Sequence, residues 1–380
     1  MPVEVPEPPH LVAALLDRLA GRSRAPIAVV DPTWPAVLRD QAMADLADAA
    51  GSGRLADDDL VLFTSGSSGS PRAVVRTVSS WRSSLEPLTD VTGVGKHGGH
   101  ELVWVPGPLT SSLFLYGALH AGWTGLPWVG GRAGAPGVQG ATAAHLVPTQ
   151  LADAIDAREQ GFLPQLRTVV VAGAQLAPSL RERASRHGWH IVEYYGAAEL
   201  SFVGWRDHGD AFEPFPGAET QVVDGVLWVR SPYVARGYLR GDDGPWLKRD
   251  GWHSVGDRAR AAGAGWTLLG RGDASITTGG HTVVVHEVES LLGEVPGVRD
   301  VVVLGLPHDR LGETVAAVIR PTSTADATLR QQLETVARRL PEPARPRHWL
   351  RADEMPLLAS GKVDRAAVRG AVRSRELPPL

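Results

Sequence analysis

Leu60-Val-Leu-Phe-Thr-Ser-Gly-Ser-Ser-Gly-Ser-Pro-Arg-Ala-Val-Val-Arg-Thr77 is the stretch on which the reading of the chain turns. Leu60 to Phe63 is an apolar run of the length and composition of a buried strand. It breaks into a loop of glycine and hydroxyl residues, then a proline and an arginine. That composition suits a phosphate cradle. Gly66 and Gly69 let backbone N–H groups turn inward, and Thr64, Ser65, Ser67, Ser68 and Ser70 add hydroxyl donors. Arg72 brings a permanent charge whose fork of donors fits phosphate oxygens. No Gly-Lys-Ser/Thr closes the loop, so it is not a Walker A sequence. A flexible surface turn is the other reading these residues leave open.

The rest of the composition narrows the class. The chain has 380 residues, 43% hydrophobic and 21% charged, which calls for a packed core and room for two or three domains. A net charge of −4 without a basic block argues against nucleic acid or an anionic membrane as the main partner. There is no cysteine, which excludes disulfides, zinc–thiolate sites and cysteine nucleophiles. No signal pattern or long apolar run is present, so a cytoplasmic protein is expected. Arginine supplies almost every positive charge; only Lys96, Lys248 and Lys362 are lysine. A lysine kept against that bias points to a use for a compact ammonium on a flexible stem.

Strand and helix patterns alternate along the first two thirds. Helices are expected over Leu11–Leu19, Pro35–Ala50, Val74–Leu88, Ser111–Trp123 and Pro178–His187. Strands are expected over Ile27–Val30, His100–Val105, Leu126–Val129, Leu166–Val171 and Ile191–Tyr195. This is an α/β layered domain. Its loops gather at strand ends, where such sheets bind ligands. Val222–Tyr238 reads as a small antiparallel sheet. Strands at Val301–Leu304 and Thr314–Ile319 and a helix at Leu329–Leu340 make the tail a small α+β unit. His187-Gly-Trp-His190, at a helix-to-strand turn, has no cysteine or acidic partner directly beside it in sequence, and His286-Glu287 has no second histidine at the zincin spacing.

Four further clusters carry chemistry. In Tyr194-Tyr195-Gly196-Ala197-Ala198-Glu199 an aromatic face can stack on a base and a glycine lets the backbone pass close to a nucleotide. The carboxylate beyond can hold Mg2+ against phosphate oxygens, although Tyr194 also reads as a core aromatic. Asp257, in Gly251-Trp-His-Ser-Val-Gly-Asp257, sits in a tight turn where it can accept from both ribose hydroxyls. Gly270-Arg271-Gly272-Asp273 is followed by Thr277-Thr278-Gly279-Gly280, and Ser360-Gly361-Lys362-Val363-Asp364-Arg365 closes the series.

Together these resemble the adenylate-forming superfamily: acyl- and aryl-CoA synthetases, peptide-synthetase adenylation domains and luciferases. Thr64–Ala73 is similar to its phosphate loop, with Arg72 in place of lysine and Ala73 in place of glycine. Gly173-Ala174-Gln175-Leu176 resembles the adenine-side turn. Tyr195–Glu199 resembles Tyr-Gly-x-Thr/Ser-Glu, with Ala198 where a hydroxyl is usual. The Lys362 stretch resembles the terminal catalytic-lysine motif. The match runs in order from Leu60 to Arg365, in a compact form whose section ahead of the loop is short.

The resemblance implies a large α/β domain over residues 1–271 with a condensed first subdomain, and a mobile α+β domain over 272–380. It implies an AMP-forming acid–thiol ligase that uses ATP and Mg2+ to turn a carboxylic acid into acyl-AMP. The acyl group would pass to CoA, or to a carrier-protein phosphopantetheine. Lys362, Glu199 and Arg72 are the implied catalytic groups, with Glu199 also the metal ligand. Arg271 would touch the nucleotide, Asp273 would be the hinge, and Gly279 and Gly280 would line the thiol channel. A fatty or related acid is favoured. An o-succinylbenzoate–CoA ligase and a nucleotide-binding paralogue without catalysis remain as alternatives.

Overall fold

The run Leu60–Phe63 lies in a strand, Asp59–Thr64, whose Leu60, Val61 and Leu62 are buried. After the loop the chain returns antiparallel as Arg72–Thr77, with Leu62 opposite Val74 and Thr64 opposite Arg72. The helix expected over 74–88 is therefore corrected: residues up to Thr77 are strand, and the helix is Val78–Thr92. The β-branched pair Val74-Val75 is buried in the sheet. Thr77 accepts a hydrogen bond from the Ser80 amide at 3.0 Å and so caps the helix at its true start.

This computed structural model describes residues 2–64, 72–96, 101–174, 176–241, 245–271, 275–278, 281–308, 310–322, 328–359 and 361–380. For residues 270, 271, 275, 277, 281 and 282 it describes the backbone alone. Four sheets organise these residues. The loop hairpin is flanked by Ile27–Val29, parallel to Asp59–Thr64, and by Gly237–Tyr238, antiparallel to Arg72–Thr77.

Seven strands form the second sheet. Its parallel core is Trp128–Val129, Val103–Trp104, Ala143–Leu146, Thr168–Val171 and His190–Ala197, in that spatial order. Ser201–Arg206 and Glu213–Pro214 close one edge antiparallel. Helices Ser112–Trp123 and Pro148–Glu159 supply the crossovers, which makes the layered α/β arrangement. One apolar core fills the side of helices 8–19, 78–92 and 112–123. A second fills the other face beneath helices 148–159 and 178–186. A third, antiparallel sheet runs from Glu219 to Arg271.

The C-terminal unit is built on a long hairpin, Val298–His308 with Gly312–Pro321. His348–Arg351 adds to it in parallel, and helices Leu329–Ala337 and Arg365–Arg373 pack on it. A helix at Val285–Gly293, not foreseen in the sequence, buries Val285, Val288 and Leu292 against this sheet. Among the described residues no helix is long and apolar enough to cross a membrane.

Candidate active site

Glu199 lies in the turn between His190–Ala197 and Ser201–Arg206. The hairpin is tight: a Cβ on Gly196 would stand 2.1 Å from the Ser201 carbonyl oxygen, so glycine is required there. Glu199 is 6% exposed. Its Oε1 accepts from the Tyr238 hydroxyl at 2.8 Å, and its carbonyl oxygen accepts from the Ala235 amide at 2.8 Å. Tyr238 belongs to the short strand beside Arg72–Thr77. The acidic turn and the strand leaving the glycine–serine loop are thus held side by side. Ala198 offers no hydroxyl, but its carbonyl oxygen accepts from Arg76 Nη1 at 2.8 Å.

The two tyrosines ahead of Glu199 point to opposite faces of their strand, as alternation demands. Tyr194 packs on Phe202 with ring centroids 4.6 Å apart, and burial pushes its hydroxyl pKa up. Tyr195 meets Trp266 edge-on at 5.2 Å and donates its hydroxyl hydrogen bond to the Asp257 carboxylate. Gly256, at φ +77°, makes the turn, and Asp257 is the first residue of the strand Asp257–Ala262 rather than part of the turn itself. Across that strand its backbone partner is Arg271. Tyr195 thus reaches Asp257 through its carboxylate, and Arg271 lies opposite Asp257 in the backbone ladder.

Lys362 comes to the same end of the central sheet. The strand Thr168–Val171 ends in Ala172-Gly173-Ala174, with Gly173 at φ +86°. A Cβ built on Gly173 would lie 2.6 Å from Lys362 Cε and 3.3 Å from its Nζ. The lysine thus lies across a glycine 189 positions earlier in the chain. Thr149, in the first turn of helix Pro148–Glu159, donates from Oγ1 to the Gly361 carbonyl oxygen at 2.7 Å. Further along that helix, Arg299 of the C-terminal unit pairs with Asp153 at 2.9 Å and Asp156 at 3.2 Å. The C-terminal unit is seated with its lysine over the carboxyl ends of the parallel strands, the usual ligand crevice of such a sheet.

Of the predicted site residues, Ser65, Gly66, Ser67, Ser68, Gly69, Gln175, Asp273, Gly279 and Gly280 lie outside the described residues, as does the Arg271 side chain. Among the described residues no group of three or more His, Asp or Glu could hold a metal by itself. A lone carboxylate such as Glu199 fits Mg2+ that arrives on phosphates and keeps waters as its other ligands. Sequence reasoning missed Arg76, Thr149, Tyr238 and Arg299. Pro148-Thr149 carries a helix-start signal, but nothing local marks the other three as neighbours of the site.

The family model for AMP-binding enzymes matches residues 11–239, and that for the AMP-binding enzyme C-terminal domain matches residues 287–362. An uncharacterized acyl–CoA ligase of Bacillus subtilis, YhfT, is 28% identical over 373 residues, covering 90% of this chain and 75% of that protein. A probable 2-succinylbenzoate–CoA ligase of Mycobacterium tuberculosis is 31% identical over 337 residues, covering 83% and 85%. Among solved structures, MenE of E. coli with bound OSB-AMS superposes with a TM-score of 0.78 at 23% identity, covering 98% of this chain and 88% of that one. The chain therefore belongs to the AMP-binding enzyme family, the adenylate-forming superfamily of acyl-CoA synthetases, and carries both of its domains.

Proposed function

We propose that the protein is an ATP-dependent acid–thiol ligase with domains at 1–271 and 272–380. It joins a carboxylic acid to AMP with release of pyrophosphate, then passes the acyl group to CoA. The observation that carries this reading is the seat of Lys362 on Gly173, at the strand ends that also present Tyr195, Asp257 and Glu199. In the first step a carboxylate oxygen bonds to the α-phosphorus as the bond to pyrophosphate breaks. Lys362 would neutralise charge shared by the α-phosphate and the incoming carboxylate. Residues Thr64–Arg72 would hold the β- and γ-phosphates, with Mg2+ brought in on the nucleotide and touched by Glu199. Tyr195 and Asp257 would receive adenine and ribose. The catalysis is positioning and electrostatic stabilisation.

In the second step the C-terminal domain would turn about Asp273. Lys362 withdraws and Gly279-Gly280 lines the path of the thiol. The thiol sulfur, its proton lost to solvent, then bonds to the acyl carbon as the acyl–oxygen bond breaks and AMP leaves with the bonding electrons. The acid is a fatty or related acyl acid. A second reading, 2-succinylbenzoate, is favoured by the 31% identity to the M. tuberculosis relative. Pyrophosphate release across fatty, aryl, amino and succinylbenzoic acids tests the first step. Mass analysis with free CoA against a phosphopantetheinylated carrier protein tests the second. ATP binding without pyrophosphate release from any acid would instead support a non-catalytic paralogue.

A further inference from the structure

Arg76 is buried to 1% exposure in the strand that leaves the glycine–serine loop. Its guanidinium faces no carboxylate at hydrogen-bond distance among the described residues. It donates instead to backbone: Nη1 to the Ala198 carbonyl at 2.8 Å and Nη2 to the Tyr233 carbonyl at 2.6 Å. Nη2 also reaches Ser80 Oγ at 3.4 Å, and the cation lies 5.3 Å from the centre of the Trp81 ring. Burial lowers its pKa to about 9, opposed by the fields of Tyr116 and Glu199, so it stays charged near neutrality.

A buried cation is costly to desolvate. What the cation secures is geometric. Ala198 immediately precedes Glu199, and Tyr233 begins the segment that brings Tyr238 to the Glu199 carboxylate. One planar fork, rooted in the strand beyond the loop, fixes the backbone on both sides of that carboxylate.

We infer that Arg76 is a positioning residue that sets the Glu199 carboxylate in register with the strand Arg72–Thr77, so that it meets the Mg2+ carried by the nucleotide. The inference rests on the proposed role of Glu199, and the test separates the two. Arg76→Met, Arg76→Lys, Glu199→Gln and the Arg76→Met/Glu199→Gln double variant are compared by acid-dependent pyrophosphate release against free Mg2+, with thermal melting alongside. Arg76→Met is expected to raise the Mg2+ concentration for half-maximal rate about 10-fold and to lower the rate on the order of 10-fold or more. Arg76→Lys, which keeps the charge without the fork, should fall between. The double variant should be within about 2-fold of Glu199→Gln, because two residues acting through one carboxylate are not additive.

A normal rate and Mg2+ dependence in Glu199→Gln would remove the reading of Glu199 and this inference with it. An impaired Glu199→Gln beside an additive double variant would overturn the inference alone. If Arg76→Met does not fold, Arg76→Lys decides. A lowered melting point with unchanged Mg2+ dependence would make Arg76 merely structural.

Discussion

Arg299 should act as a latch on the first half-reaction. Its two ion pairs, to Asp153 and Asp156, join the C-terminal unit to helix Pro148–Glu159, whose first turn also holds Gly361. The arginine side chain is 30% exposed and the two carboxylates 60% and 35%. Solvent screening therefore limits each pair to about 0.2–1 kcal/mol. Arg299→Ala should remove roughly 0.5–1.5 kcal/mol from the seated arrangement, a factor of about 2–10 in the equilibrium constant for seating. The substitution does not touch the chemistry, so it should act only where Lys362 must be seated. Rapid-quench measurement of the pyrophosphate burst should show a loss of up to about 10-fold, while thioester formation from pre-formed acyl-adenylate should be unchanged or faster. The difference from wild type should shrink in about 0.5 M salt, as exposed charges are screened. Equal loss in both half-reactions, or a loss indifferent to salt, would refute the latch.

Gly173→Ala places a methyl 2.6 Å from Lys362 Cε and forces a side chain onto a backbone at φ +86°. It should lower acyl-adenylate formation by at least about 10-fold while leaving thioester formation from supplied acyl-adenylate largely intact, measured in the same two assays. Acid should destabilise the fold through two buried histidines. Burial pushes His145 down to about 3 and His120 to about 4, against about 6.5 in the unfolded chain. The neutral forms are the folded ones. Their stabilisation is complete above about pH 6.5 and is lost as pH falls, down to about 4 for His120 and about 3 for His145. Each group costs about 1.4 kcal/mol per pH unit in that window. Denaturant midpoints at pH 7, 6 and 5 should fall accordingly, and His145→Leu should flatten the slope. An unchanged slope in that variant would discount the histidine.

Much of this architecture was legible in the chain because phosphate and sheet chemistry leave local marks. The glycine–serine loop, the acidic turn and the lysine near the C-terminus stand out by composition, and their order carried the family. The helix start at Val78 was misplaced because Val74, Val75 and Val78 fit a helical face as readily as a strand. The informative residue was Thr77, whose hydroxyl caps the true start. The helix Val285–Gly293 is short and follows directly on the β-branched run Thr282 to Val285, which fits a strand as readily. Contacts across the fold left no local trace. Arg76 meeting Ala198, Tyr238 meeting Glu199 and Lys362 meeting Gly173 join residues far apart in sequence, and only the packed sheets bring them together.

The claim beneath all of this is that the ammonium resting on Gly173 drives the first chemical step and not the second. ATP–pyrophosphate exchange by Lys362→Ala, with thioester formation from supplied acyl-adenylate measured beside it, tests that directly. The account predicts exchange reduced by about 10²–10³ or more, the cost typical of losing one charge-stabilising group, with thioester formation close to wild type. Exchange at the wild-type rate would contradict it.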